Sequence, residues 1–168
     1  MGKAKVPAGA ARVLIDVIEA RRVLARAQAR SAELAVSFAD TRTAVDRQMI
    51  NGLRHEGVDA RYRAGEFAAN EISMACSTSK FAAQRLLAMT RRVRAEAPAA
   101  WDAWVAGDID QDKVERINRA LRRLQRDSSK VLLNSWVVDV AVCKSPEILV
   151  RCLNQFIHCS GTATPPAS

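Results

Sequence analysis

The segment EISMACSTSKFAAQRLL, residues 71–87, combines two stretches of helical spacing with a short break between them. The first stretch begins as an amphipathic helix, and the break consists of the small or polar residues 76–79. Helical spacing then resumes, with basic and amide side chains on one side. The segment therefore predicts a helix, a turn and a second helix. We assign residues 66–94 to this helix-turn-helix-like unit.

Glycine and proline are sparse along the chain and fall at positions where helices are expected to end. Around the unit we predict a long N-terminal helix over 11–50, a connecting loop over 51–66 and C-terminal helices over 99–157. Pro98 and Gly107 mark the limits of a short helix at the start of the last region. The expected fold class is all-α, a helical bundle with a long N-terminal helix.

The length of 168 residues suits a single domain with tails. We expect that domain over 11–158, a flexible N-terminus over 1–10 and a disordered tail over 159–168.

Trp101 and Trp104 share a face of the short helix. We favour a place in the buried core for this pair, and an exposed patch for a partner is the alternative.

The long N-terminal helix carries a seam of positions that follow one another in alternating steps of four and three. These positions are Val13, Val17, Ala20, Leu24, Ala27, Ser31, Leu34 and Phe38. Because the seam contains two alanines and one serine, we favour packing against the rest of the same chain. A coiled-coil homodimer, or a protein partner bound through this helix, is the alternative.

The formal net charge of +8 and the pI near 9.9 favour a polyanionic partner, because Lys and Arg side chains near phosphates release counterions. Nucleic acid is the first candidate, and acidic lipid is the second. Residues 61–100 carry 7 basic and 3 acidic side chains, a denser excess than in the segments before and after them.

The 4 cysteines show no paired spacing, which fits a reducing cytoplasm. Asp16 and Glu19 interrupt the early apolar stretch, so neither a signal sequence nor a membrane span is expected. We therefore expect a cytoplasmic protein with no membrane partner.

In a helix-turn-helix, the first helix and the turn bury an apolar ridge that holds the second helix, whose first turns enter the major groove. We assign the ridge to Ile72, Cys76, Thr78, Ala83 and Leu87. Ser79 is expected as the N-cap of the second helix. The predicted nucleic-acid-binding residues are Ser79, Lys80, Phe81, Gln84, Arg85, Arg91 and Arg92.

The segment resembles bacterial helix-turn-helix sequences of the form E-I-A-x-x-L-G-V-S-x-x-T-V-x-R-x-L without a gap. The matching positions are Glu71, Ile72, Ser79, Arg85 and Leu87. The chain departs from the pattern at Cys76, at Thr78 and at Ser77, which stands where the turn glycine is usual. The resemblance implies DNA contact, and a purely structural helical hairpin is the alternative.

A second resemblance covers about 67 to 157, roughly the length of one domain. It rests on EISMACSTSKFAAQRLLAMTRRV, on PAAWDAWVAGDID and on SPEILVRCLNQFI. These segments resemble domain of unknown function 222, an actinobacterial repeat-family domain that usually precedes an HNH endonuclease. The resemblance implies an all-helical module associated with DNA-acting nucleases and mobile elements. It supplies no catalytic residues.

No residues of this chain can be matched to an HNH site, since His55 and His158 are its only histidines. We therefore expect a truncated or stand-alone copy with no enzymatic activity.

The acidic run DIDQD has Lys113 where a calcium loop requires glycine, and helix capping explains its acidic residues better than calcium binding does. Cys152 and Cys159 have no local set of further zinc ligands. The sequence thus predicts no catalytic residue, metal or cofactor, and either a DNA-binding module or a structural or protein-interaction bundle.

Overall fold

A computed structural model of the protein describes residues 8–162. This part of the chain contains seven α-helices and no strand, which confirms the predicted all-α class. The helices are α1 (Ala8–His55), α2 (Ala68–Ala75), α3 (Lys80–Glu96), α4 (Pro98–Ala106), α5 (Gln111–Leu121), α6 (Asp127–Cys143) and α7 (Pro146–Thr162). None of these seven helices is long and apolar enough to cross a membrane.

Local signals in the sequence set several helix ends as predicted. Pro98 is the first residue of α4. The N–H of a first helical residue has no acceptor within the helix, so the N–H that proline lacks costs α4 no hydrogen bond. Gly107 ends α4 in the left-handed region, with φ of 84°. Asp110 caps α5, since its side chain accepts a hydrogen bond of 3.0 Å from the backbone N–H of Lys113. The acidic run DIDQD therefore includes a helix cap, as expected.

Other helix ends differ from the predicted ones. The long helix continues past residue 50 to His55, so the loop begins later than predicted. The last helix continues to Thr162, so residues 159–162 of the predicted tail are helical. Residues 8–10 belong to α1, whereas 1–7 and 163–168 of the predicted flexible ends lie outside the described residues.

The described residues form two compact units within the range predicted as a single domain. The first unit comprises residues 8–29 together with 93–162, and the second comprises 30–92. In the first unit α4, α5, α6 and α7 pack together, and the Trp104 ring of α4 is fully buried. Trp101 meets this ring edge to face, with centroids 5.6 Å apart, as aromatic pairs prefer. The predicted place of both tryptophans in the core is confirmed, since Trp101 is 9% exposed.

The predicted packing face of α1 is wrong. All eight residues of the predicted seam are exposed, among them Leu24 at 58% and Leu34 at 51%. A neighbouring face is buried instead, and it consists mainly of small side chains. Its residues are Ala25, Ala29, Ala32, Val36, Ala39, Asp46 and Ile50. Alanine contributes little apolar area but lets another backbone come close, so dense packing is achieved where the hydrophobic signal is weak.

Candidate nucleic-acid interface

The turn between α2 and α3 has the hydrogen bonds of a Schellman helix ending. The Thr78 N–H donates to Ser73 O at 2.9 Å, and the Ser77 N–H donates to Met74 O at 3.4 Å. Ser77 adopts the left-handed conformation, with φ of 51°. Serine therefore occupies the backbone conformation that glycine adopts without strain. This is the position at which the helix-turn-helix pattern has its turn glycine, so the turn geometry is kept despite the substitution.

Ser79 is the N-cap of α3, as the sequence predicted. Its Oγ accepts a hydrogen bond of 3.1 Å from the N–H of Ala82, which lies three residues further on. The first turn of α3 contains no acidic residue. The positive end of the helix dipole at this terminus is therefore not neutralised from within α3, which favours an approaching anion.

The ridge that holds α3 is partly as predicted. Ile72, Ala83 and Leu87 are buried in one cluster with residues of α1 and α2, which are Val36, Ala39, Ala68 and Ala69. Cys76 and Thr78 are exposed, so their assignment to the ridge is wrong. The Schellman ending causes this difference, because it satisfies the turn through backbone hydrogen bonds and leaves these two side chains outside.

The opposite face of α3 is exposed over its first turns. Lys80, Phe81, Gln84 and Arg85 are all exposed, as predicted, and Phe81 reaches 67%. The Arg85 guanidinium lies over the Phe81 ring, with its carbon 5.9 Å from the ring centroid. An exposed aromatic ring is thereby partly covered by a cation. Together these side chains form a polar, cationic surface beside the capped helix N-terminus, and we call them the α3 face.

The arginines further along α3 are differently placed. Arg91 donates to Asp40 of α1 at 2.6 Å, an ion pair in which both side chains are about half exposed or more. Arg92 is partly buried and already has an interaction within the described residues. Arg91 thus has a neutralising partner, which reduces the positive charge that it can offer a ligand.

Two acidic groups that the sequence analysis did not use as anchors hold this unit in place. Asp46 is fully buried, and its Oδ2 accepts a hydrogen bond of 2.9 Å from the N–H of Gly65, just before α2. Arg42 lies 3.4 Å from the other Asp46 oxygen and 3.3 Å from a Glu71 oxygen on α2. Glu71, a match to the helix-turn-helix pattern, therefore joins α2 to α1. Asp46 lies at helical spacing from the alanines of the buried face of α1. A charged residue at such a position is the signal in the sequence that could have predicted its burial.

The cysteines and the acidic run are the other groups that the sequence suggested as metal ligands. Among the described residues, no group of three or more His, Cys, Asp or Glu side chains could hold a metal ion. The four cysteines are free thiols in residues 8–162. Asp112, part of the acidic run, forms an ion pair with Arg116 at 2.8 Å.

Comparison with models of known protein families, with curated proteins and with solved structures gave no match for this chain. The resemblances to helix-turn-helix sequences and to domain of unknown function 222 therefore stay predictions from the quoted segments.

Proposed function

We propose that the protein is a non-catalytic DNA-binding module that contacts the double helix through the α3 face. The observation that carries this proposal is the helix-turn-helix geometry of the second unit. A left-handed turn residue, a capped second helix and a buried ridge leave Lys80, Gln84 and Arg85 exposed together. This is the presentation by which helix-turn-helix proteins place their second helix in the major groove.

Each residue of the α3 face has a role that its chemistry allows. The Gln84 amide can both donate to and accept from adenine, which gives sequence preference. Lys80 and Arg85 can bind guanine or phosphate, and the Ser79 end of α3 can bind a phosphate. Phe81 would contact a thymine methyl group or a sugar with its exposed ring. Arg91 and Arg92 would add phosphate contacts at the cost of their present interactions.

The double substitution Lys80→Ala/Arg85→Ala tests the proposal against a control with the same loss of charge. The control is Arg47→Ala/Arg54→Ala, which removes two exposed cations of α1 in the same unit. Binding of a fluorescent duplex is measured by anisotropy over a series of salt concentrations. We expect the negative slope of log K against log salt to become shallower by about 1.8 in the α3 variant if both side chains contact phosphate. The control should leave the slope nearly unchanged.

Gln84→Ala adds a test of base recognition. We expect it to reduce the preference among sequences while leaving the salt slope unchanged, because an amide releases no counterion. The DNA-binding proposal fails if the purified protein does not bind DNA at low salt. The assignment to the α3 face fails if the control loses binding as fully as the α3 variant.

A second candidate function, protein interaction through α1, is favoured by the exposure of the predicted seam. We propose a second copy of the chain as the partner, in a parallel coiled coil. The 3.5-residue repeat from Val13 to Phe38 covers about four heptads, enough to sustain such a pairing. In a parallel pair in register, the residues beside the seam of one copy face those of the other copy. Asp16 of each copy would then lie near Arg21 of the other, and no two like charges would face each other.

Sedimentation equilibrium of the full chain tests this pairing. We expect a dimer that Leu24→Glu converts to a monomer, whereas Val131→Glu, at a more exposed apolar position on α6, leaves it intact. The small side chains Ala20, Ala27 and Ser31 limit the buried area, so the dimer is expected to be weak. A monomer at every concentration would refute the pairing and leave DNA binding untouched.

A further inference from the structure

A cleft of about 450 Å³ lies between α5, with the turn that follows it, and α7 in the first unit. Residues 116–126 contain five arginines and no acidic residue, and four of those arginines line the cleft. They are Arg116, Arg119, Arg122 and Arg123. The cleft is distant in sequence from the α3 face and belongs to a different unit. Its volume lies within the range of small-molecule pockets, about 300 to 1,000 Å³.

The cleft also has an apolar side. Val150, Leu153 and Ile157 of α7 line it at helical spacing, together with Ala120 of α5. Leu153 is buried, whereas Val150 and Ile157 are partly exposed. These aliphatic side chains form a surface that a ligand could cover. Apart from Ala120, its neighbours on the α5 side are guanidinium groups.

The arginines of the cleft are only partly neutralised. Arg116 donates to Asp112 at 2.8 Å, and this hydrogen bond raises the Arg116 pKa above its usual value. Arg123 donates to Asn154 at 2.9 Å, and an amide orients the guanidinium without cancelling its charge. Within residues 8–162, Arg119 and Arg122 form no ion pair. Three positive charges of the cleft are therefore available to an anion.

Helix capping explains part of this arrangement but not all of it. Arginines near the end of α5 stabilise the negative end of its dipole. That effect requires neither an aliphatic surface opposite them nor a cleft large enough for a ligand. The combination of guanidinium groups on one side and aliphatic groups on the other fits an amphiphilic ligand better.

We propose that this cleft binds a small organic anion with a phosphate or carboxylate head and an aliphatic body. The head group would lie between Arg119, Arg122 and Arg123, whose planar guanidinium groups match oxyanion geometry. The aliphatic body would cover Val150 and Ile157. DNA fits the cleft less well, since its backbone has no extended aliphatic group that would cover Val150 and Ile157.

Isothermal titration calorimetry of the full chain tests the proposal with four probes below their micelle concentrations. Decyl phosphate has a phosphate head and decanoate has a carboxylate head, and both have a chain of ten carbon atoms. Inorganic phosphate lacks the aliphatic chain, and decanol lacks the anionic head. We expect one molecule of decyl phosphate or decanoate to bind per chain. The stronger of the two identifies the preferred head group. Phosphate and decanol should each bind at least about tenfold more weakly, because each loses one set of contacts.

Variants at exposed or partly exposed positions of the cleft locate the binding. Arg119→Gln/Arg122→Gln should weaken binding of the preferred probe about tenfold or more. Ile157→Ser should weaken binding of the probes that have an aliphatic chain and should leave binding of inorganic phosphate unchanged. Arg47→Gln/Arg54→Gln, with the same charge loss in the second unit, should have no effect. Circular dichroism melting checks that each variant stays folded.

Two outcomes overturn the proposal. The first is that neither decyl phosphate nor decanoate binds; if the cleft arginines are then needed for DNA binding, the cleft belongs to the nucleic-acid surface. The second is that the arginine variant in the cleft binds the preferred probe as the control does.

Discussion

Asp46 links α1 to the segment that leads into the helix-turn-helix unit, and its replacement by alanine is expected to destabilise the second unit by about 3 kcal/mol. The carboxylate is fully buried and accepts the Gly65 N–H at 2.9 Å. A hydrogen bond to a charged group contributes about 1.5 to 3 kcal/mol, and the unpaired Gly65 N–H adds a desolvation cost. Loss of one partner from a buried ion pair costs about 3 to 5 kcal/mol.

The estimate stays at the lower end of that range because Arg42 does not lose all of its partners. Its side chain is 32% exposed, and its Nε remains 3.3 Å from Glu71 when Asp46 is removed. Asp46→Asn keeps an acceptor for Gly65 and loses the charge, so its expected cost is about half as large. Asp40→Ala is the control, since its ion pair with Arg91 is exposed and contributes at most about 1 kcal/mol.

Urea denaturation followed by circular dichroism gives the total loss of stability, and amide hydrogen exchange in α2 reports the second unit separately. Asp46→Ala should lower the protection of α2 amides far more than Asp40→Ala does. A cost below about 1 kcal/mol for Asp46→Ala, or equal costs for the two substitutions, would show that the carboxylate does not anchor this unit.

Three further substitutions test local features of the structure. Ser77→Gly should stabilise the second unit by about 0.5 to 1 kcal/mol in urea, since glycine relieves the left-handed strain, and destabilisation would contradict the turn conformation. Gly107→Ala should cost more than about 2 kcal/mol, whereas Gly57→Ala should cost about 1 kcal/mol. Both glycines have positive φ, but a Cβ at Gly107 would lie 2.8 Å from a backbone oxygen of α1 while Gly57 has open space. Ser145→Ala should raise the pKa of Glu147, because the Ser145 hydrogen bond is the main cause of its lowered pKa, and an unchanged NMR titration midpoint would refute that cause.

The sequence by itself determined the features that depend on neighbours a few residues away. The cap at Ser79, the first-turn Pro98, the left-handed Gly107 and the cap at Asp110 are all formed within one helical turn. Their hydrogen bonds close over short spans, so residue type and spacing are sufficient to predict them. The exposure of Gln84 and its neighbours followed in the same way, because the opposite side of α3 carries the apolar residues.

Only the tertiary structure decided which face of α1 is buried. The seam from Val13 to Phe38 has the stronger hydrophobic signal, yet the alanine face packs because small side chains allow helices to approach closely. The place of Asp46 depends on a contact with Gly65, which the chain brings back across a loop. The cleft at Arg119 and Arg122 depends on α7, because the apolar side comes from residues about thirty positions later. Over residues 101–168 as a whole, 8 acidic residues nearly balance 9 basic ones, so this average does not show the excess of positive charge within residues 116–126.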